Sequence, residues 1–315
     1  MPEIPDIEAY IEALRPRVLG QRLLGIRVMS PFLLRTVSPA PSALVGGCVR
    51  GVERMGKRVV IEIAASTELG EPGQPYFVVL HLMVAGRLHW KAPGAAIPRG
   101  RGLAAFDFAT GTLLLTEAGK KRRASLHVVQ GRDALSGLDP GGVEVVGSSF
   151  AQFAAALKRE NHTLKRALTD PRIFSGIGNA YSDEILHRAR LSPLRQTRAL
   201  DEIEISRLQT AAAAVLQEWT ERLRTEAREA FPEKVTAFRA DMAVHGRFKA
   251  PCPVCGAPVQ RIVYAENECD YCPGCQTEGR ILADRSLSRL LREDWPRSLD
   301  ELPRPPAADE SCETV

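Results

Sequence analysis

Two sets of residues in this chain have the types and spacing for chemistry. The first is the opening Met1-Pro2-Glu3. Removal of Met1 would expose the secondary amine of Pro2, and an α-amino group titrates near pH ~7.7–8.0, about two units below lysine. Such an amine is partly neutral at cell pH and attacks an aldehydic carbon. Glu3 beside it supplies a carboxyl that can give or take a proton at the bond being made. The second set is a pair of matching knuckles, Cys252-Pro253-Val254-Cys255-Gly256 and Cys272-Pro273-Gly274-Cys275-Gln276. Paired Cys-x-x-Cys units suit one tetrahedral, structural Zn2+ ion. Of seven cysteines, five lie between positions 252 and 275, and Cys269 competes for the second pair. The shared Cys-Pro-x-Cys design assigns Cys252, Cys255, Cys272 and Cys275 to the metal and leaves Cys269 as a spare thiol. An odd cysteine count without a secretion signal argues against a disulfide framework.

Length and patterning then indicate what must position these groups. At 315 residues the chain has room for about two domains, each with its own core. Apolar residues at Ile7, Tyr10, Ile11, Leu14 and Val18 predict an amphipathic helix over 6–19. Short β-rich runs follow at 24–28, 59–63, 76–80, 103–108 and 112–116, separated by Gly and Pro turns. A helix leading serial strands predicts a sandwich capped by that helix. Past the loose stretch around 131–147 the period becomes helical over 150–160, 163–168, 181–189 and 202–227. The segment 280–292 reads as a further helix whose stripe of Ile281, Leu282, Leu287, Leu290 and Leu291 packs on the protein, and 303–315 as a disordered tail. The fold class expected is α+β multidomain. Its divisions are a β-sandwich over 1–135, a linker over 136–149, a helical domain over 150–247, a zinc finger over 248–279 and a C-terminal extension over 280–315.

Several features suit a polyanion. Lys120, Lys121, Arg122 and Arg123 form a run without an acid, although the net charge is only +4. Between two predicted helices, Ser175-Gly176-Ile177-Gly178-Asn179-Ala180-Tyr181 combines tight-turning glycines with a helix start. Free amides and the positive end of the helix dipole at such a place receive a phosphate, and Asn179 adds side-chain donors. The chain contains no apolar stretch long enough to span a bilayer and no signal peptide, which predicts a soluble, cytoplasmic protein.

Taken in order, the Pro2-Glu3 start, Gly56-Lys57, the Gly176-to-Tyr181 turn, Val244-His245-Gly246-Arg247 and the cysteine hairpin resemble the formamidopyrimidine-DNA glycosylase and endonuclease VIII family. The resemblance runs from Pro2 to about Gln276. It implies an N-terminal β-sandwich, a helix-two-turns-helix domain and a zinc finger, acting as a monomer on double-stranded damaged DNA held between them. It also implies a bifunctional glycosylase and abasic-site lyase. Pro2 would be the nucleophile, Glu3 the proton donor, Lys57 a catalytic lysine, and Lys165 and Asn179 phosphate-gripping residues. Removal of Lys165 is accordingly expected to flatten the salt dependence of binding by about one unit.

The chain also departs from the family's pattern. Asn267 stands where family members carry an arginine at the hairpin tip, which would weaken the grip on the phosphate beside the lesion and favour β- over δ-elimination. The basic run 120–123 lacks an aromatic after its arginines, and Val84 rather than Met83 occupies the position of the family's methionine wedge. A non-catalytic damage-binding protein of the same fold is the rival reading, favoured by Asn267 and opposed by Pro2, Glu3 and Lys57. A zinc-ribbon module acting on RNA explains the cysteines but not the amino terminus.

Overall fold

The computed structural model describes residues 1–64, 73–119, 121–264, 267–283, 290, 292 and 295–302, Tyr264 and Asn267 by their backbone alone. The chain begins with α1 (Ile4–Val18), capped at its start by a hydrogen bond from Glu3 N–H to Asp6 Oδ2 at 3.0 Å. Eight strands follow: β1 (Gly25–Val28), β2 (Val49–Met55), β3 (Arg58–Ile63), β4 (Tyr76–His81), β5 (Gly86–Lys91), β6 (Gly102–Phe108), β7 (Gly111–Glu117) and β8 (Ser125–Gln130). They make two antiparallel four-stranded sheets, ordered β1-β6-β7-β5 and β2-β3-β4-β8. Alternate residues of each sheet, among them Val59, Ile61, Val78 and Leu80 from one and Phe106, Leu113 and Leu115 from the other, share one core with Ile7, Tyr10, Ile11 and Leu14 of α1. Period-two side-chain alternation puts those residues on one face of each sheet. This is the sandwich with its leading helix.

After α2 (Arg132–Ser136) come α3 (Phe150–Lys158), α4 (Leu164–Thr169), α5 (Asn179–Arg188) and the long α6 (Glu202–Glu229). Ser149 and Asp201 open α3 and α6 with reciprocal capping boxes. Phe153, Leu168, Phe174, Tyr181, Ile185, Leu208 and Leu216 form the separate core of this helical part. A hairpin of β9 (Gln260–Tyr264) and β10 (Asn267–Tyr271), followed by the single turn α7 (Pro273–Gln276), carries the cysteines. α1 packs along α6, and β10 and α7 pack against α5, so sandwich, helices and hairpin are mutually braced.

The expected elements form with shifted ends, and β2, β5 and β8 join those anticipated. The helix expected over 280–292 is corrected at its start. Residues 280–283 are extended, with Arg280 bridged to Ser298 and Ile281 N–H bonded to Arg297 O at 2.8 Å, and Leu290 is exposed rather than packed. The N–H groups of Arg280, Ile281 and Leu282 are taken by Thr277 O, Arg297 O and the Tyr271 hydroxyl, which leaves no intrahelical ladder. The rest of that stretch, the tail 303–315 and Lys120 lie outside the described residues.

Candidate active site and DNA-facing surface

The turn before α5 is shaped around Glu3. Gly178, Ala180 and Tyr181 N–H groups donate to the buried Glu3 carboxylate at 2.5, 2.9 and 3.3 Å. Ile4 N–H adds a bond to Gly176 O at 3.1 Å. The two glycines are needed for this approach: a Cβ on Gly178 would meet Glu3 Cδ at 2.6 Å, and one on Gly176, at φ +73°, would meet Ile4 Cγ1 at 2.2 Å. This corrects one expectation. The amides at the start of α5, expected to be free for a phosphate, are committed to Glu3, whose negative charge the helix dipole favours there. Asn179 keeps its side-chain amide without a hydrogen-bond partner among the described residues, half-buried at the first position of α5.

Pro2 is buried beside Glu3, and with Met1 attached its nitrogen is an amide. The Met1 amine is held below its ordinary value chiefly by burial. Glu3 and Asp6 oppose that shift, and Arg87 and Lys57 add to it. Lys57 follows Gly56 in the β2–β3 turn, half-buried and without a carboxylate partner among the described residues. Burial pushes its ammonium below the usual lysine range; Glu3 pulls it back and Lys165 repels it. The Pro2 end, Glu3 and Lys57 therefore share one electrostatic neighbourhood.

Lys165, on α4, is differently placed. Its Nζ donates to Asp183 Oδ1 at 2.5 Å and Asn179 O at 2.7 Å. Burial alone would lower it, but the buried Asp183 carboxylate holds it above the ordinary lysine value. Asp183 also meets His245 Nδ1 at 2.8 Å and accepts the Cys269 thiol, which burial raises far above the ordinary thiol range. Glu184, next on α5, accepts the N–H groups of Ala243, Val244 and His245 at 2.7 to 2.9 Å, fixing the Val244-to-Arg247 motif.

Of the basic run, Lys121, Arg122 and Arg123 lie in an exposed loop between β7 and β8 and all face solvent. The buried Glu117 carboxylate holds that loop through Arg123 and Ala124 N–H, and Arg122 donates to Gly100 O. Asn267 opens β10 opposite Tyr264, at the hairpin tip. In the β4–β5 turn Met83 adopts φ +53° and Val84 stands 56% exposed.

The knuckle sulfurs gather in pairs, Cys255 Sγ to Cys272 Sγ at 3.3 Å and Cys252 Sγ to Cys275 Sγ at 3.9 Å. A tetrahedral ion with sulfur ligands at ~2.3 Å needs edges of roughly this length, so the set fits one metal. Cys269 lies against Asp183 instead.

Reasoning from sequence missed three participants. Asp6 bonds Glu3 N–H and receives Arg239 at 3.2 Å, and burial lifts its carboxyl to about 6. Arg54 ties Glu8 (2.9 Å) to Glu144 (2.5 Å), fastening α1 to the segment before α3. His187 touches Cys252 at 3.3 Å. Asn179, Asp183 and His187 recur every four residues, a spacing that marks one helix face and was readable as such.

Residues 1–125 match the formamidopyrimidine-DNA glycosylase N-terminal domain, and residues 142–228 match the formamidopyrimidine-DNA glycosylase H2TH domain. A formamidopyrimidine-DNA glycosylase of Thermus thermophilus is 34% identical over 290 residues, covering 89% of this chain and 100% of the relative. This chain belongs to the formamidopyrimidine-DNA glycosylase family. The crystal structure of the MutM (Fpg) protein from Thermus thermophilus superimposes with a TM-score of 0.70 at 31% identity, covering 88% of this chain and 100% of that one. A Lactococcus lactis Fpg variant in complex with DNA containing Fapy-dG matches in fold, with a TM-score of 0.74 at 22% identity over 88% of this chain and 100% of that one. The Fpg family is one of DNA glycosylases in base-excision repair, and the sandwich, the H2TH helices and the cysteine cluster are its architecture.

Proposed function

We propose that this protein is a bifunctional glycosylase and abasic-site lyase acting on damaged duplex DNA. The observation that carries the reading is the seat of Glu3: its carboxylate is locked on the α5 amides, with the Pro2 end and Lys57 in the same charged neighbourhood. The damaged nucleotide leaves the stack, at a cost of a few kcal/mol that is least where pairing is already weak. With Met1 removed, the Pro2 nitrogen lone pair forms a bond to C1′ and the bond from C1′ to the base breaks, its electron pair leaving with the base. Glu3 takes the proton that the Pro2 nitrogen sheds after attack and delivers it to the ring oxygen as the bond from C1′ to that oxygen breaks, leaving an iminium between Pro2 and C1′. Loss of a C2′ proton then expels the phosphate on C3′, which is β-elimination. Lys57 stabilises phosphate charge as it develops. Asn179 and the loop 121–123 line the surface assigned to the backbone, Lys165 braces α5 through Asp183, and Lys120 and Asn267 complete the candidate set.

Cys252, Cys255, Cys272 and Cys275 would hold one structural Zn2+. The ion's contribution is to fold the hairpin, because so small a unit gains its folding free energy from binding metal. The domain division drawn from sequence is kept as part of this proposal, as are a monomeric state and a cytoplasmic setting. Among the described residues no helix is long and apolar enough to cross a membrane.

The test is a denaturing gel of a duplex carrying a formamidopyrimidine or an abasic site. We expect cleavage ending mainly in the unsaturated aldehyde, and Asn267→Arg to raise the share of 3′-phosphate. Tight binding without cleavage would favour the non-catalytic damage-binding reading. A predominant 3′-phosphate from the natural protein would show that another residue does the work of the missing arginine.

A further inference from the structure

The cysteine site has a fifth donor. His187 sits in the last turn of α5, 6% exposed, with Nε2 3.3 Å from Cys252 Sγ. The ligand atoms of His187, Cys252, Cys272 and Cys275 all lie within 4.8 Å of one another. Those four residues are buried or half-buried, whereas Cys255, the remaining knuckle thiol, is exposed. One nitrogen and three sulfurs at this separation are a common structural zinc set.

The surroundings hold the imidazole at the site. Gln276 accepts Cys272 N–H at 2.8 Å and donates to Leu191 O at 2.9 Å, pinning the second knuckle to the turn just past α5. His187 is the corresponding contact for the first knuckle. It lies four residues beyond Asp183, on the helix face against which β10 packs. Four thiolates around a dication leave about two excess negative charges, so an N–H directed at one sulfur is favourable while all four are bound. Ring donors of this kind tune metal sites and steady their ligands.

We propose that His187 plays two parts at the metal site. It donates Nε2–H to the Cys252 thiolate while four sulfurs hold the ion, and it replaces Cys255 as ligand when that exposed thiol is lost to alkylation. In the second state the ring binds through the Nε2 lone pair and carries its proton on Nδ1. No electron transfer is involved. The hairpin thereby keeps its metal, and its seat on α5, after damage at its one exposed ligand. The inference rests on reading the knuckles as a zinc site.

The experiment measures zinc per chain after dialysis, together with spectra of the cobalt(II)-substituted protein, for wild type, Cys255→Ala, His187→Gln and the double variant. Glutamine keeps an N–H for Cys252 but offers no ring nitrogen to the metal. We expect wild type, Cys255→Ala and His187→Gln each to retain about one metal ion, and the double variant to lose it. In cobalt-loaded Cys255→Ala, the sulfur-to-metal charge-transfer band should fall in proportion to the thiolate removed. A strongly shifted, exchangeable imidazole N–H proton should appear in its NMR spectrum and be absent from wild type. Metal-free Cys255→Ala beside metal-loaded wild type would overturn the inference alone, as would a loaded Cys255→Ala without that proton signal. A wild-type protein that binds no metal would overturn the zinc reading beneath it.

Discussion

Lys57 and Lys165 repel one another across the join between sandwich and helices, and the fold treats them oppositely. Lys57 has no carboxylate partner among the described residues, and burial pushes its ammonium down. Lys165 is locked to Asp183 at 2.5 Å and held up. A cation kept partly dehydrated and unpaired costs stability unless an anion arrives to meet it. A cation paired with a buried carboxylate adds no net charge to the surface. The difference assigns the salt-sensitive phosphate contact to Lys57 and makes Lys165 chiefly a brace for α5, which also carries the seat of Glu3. The one-unit flattening expected for Lys165 from sequence moves to Lys57.

The largest effect should come from breaking the brace. Lys165→Met leaves Asp183 buried beside His245 and Cys269 with its main cation gone, and stability should fall by about 3–5 kcal/mol. Urea unfolding measures it, and Asp183→Asn in the same chain should restore part of the loss. A Lys165→Met protein as stable as wild type would erase the contrast. Lys57→Met should do the reverse, leaving stability unchanged or slightly raised while strand cleavage drops about 10²-fold. The slope of log affinity against log salt should flatten by about 0.9 for Lys57→Met and by much less for Lys165→Met. Equal flattening would show that Asp183 does not take up the Lys165 charge.

The smallest effect lies in the alkaline limb. Lys165 is raised above the ordinary lysine value of 10.5, so it contributes stability that is complete below that pH and lost as pH climbs through its folded value. Lys57 is lowered below 10.5, so its unfolded form binds more protons over the interval beneath, and its contribution makes stability rise with pH there. Stability profiles of the two methionine variants between about pH 8 and 11 should therefore tilt in opposite senses relative to wild type.

How far the sequence reached can be judged on these same residues. The strands at 59–63, 76–80 and 103–108 were legible because buried apolar runs sit between Gly and Pro turns. β2 and β8 were not, since Arg50, Glu53, Arg54 and His127 interrupt their apolar pattern. The cysteine cluster was legible from spacing alone. The competition for the α5 amides was not, because Gly178 and Glu3 are separated by 175 residues and only the folded chain brings them together. The same holds for Asp183, whose role depends on Lys165, His245 and Cys269 arriving from three other segments. The stretch 280–292 reads as a helix with an apolar stripe, but at its start Arg280 bridges Ser298 and Ile281 N–H bonds Arg297 O instead.

The central claim is that the Pro2 amine, with Glu3 beside it, is the nucleophile, and that neither lysine is. Borohydride reduction in the presence of duplex DNA containing an abasic site tests it most directly, with the protein prepared both with and without Met1. The account predicts a covalent adduct only for the Met1-free chain, mapping to its amino-terminal peptide, and an adduct of normal yield from Lys165→Met where that variant remains folded. Equal trapping of the Met1-retaining chain, or an adduct mapping to the peptide that contains Lys57, would contradict it.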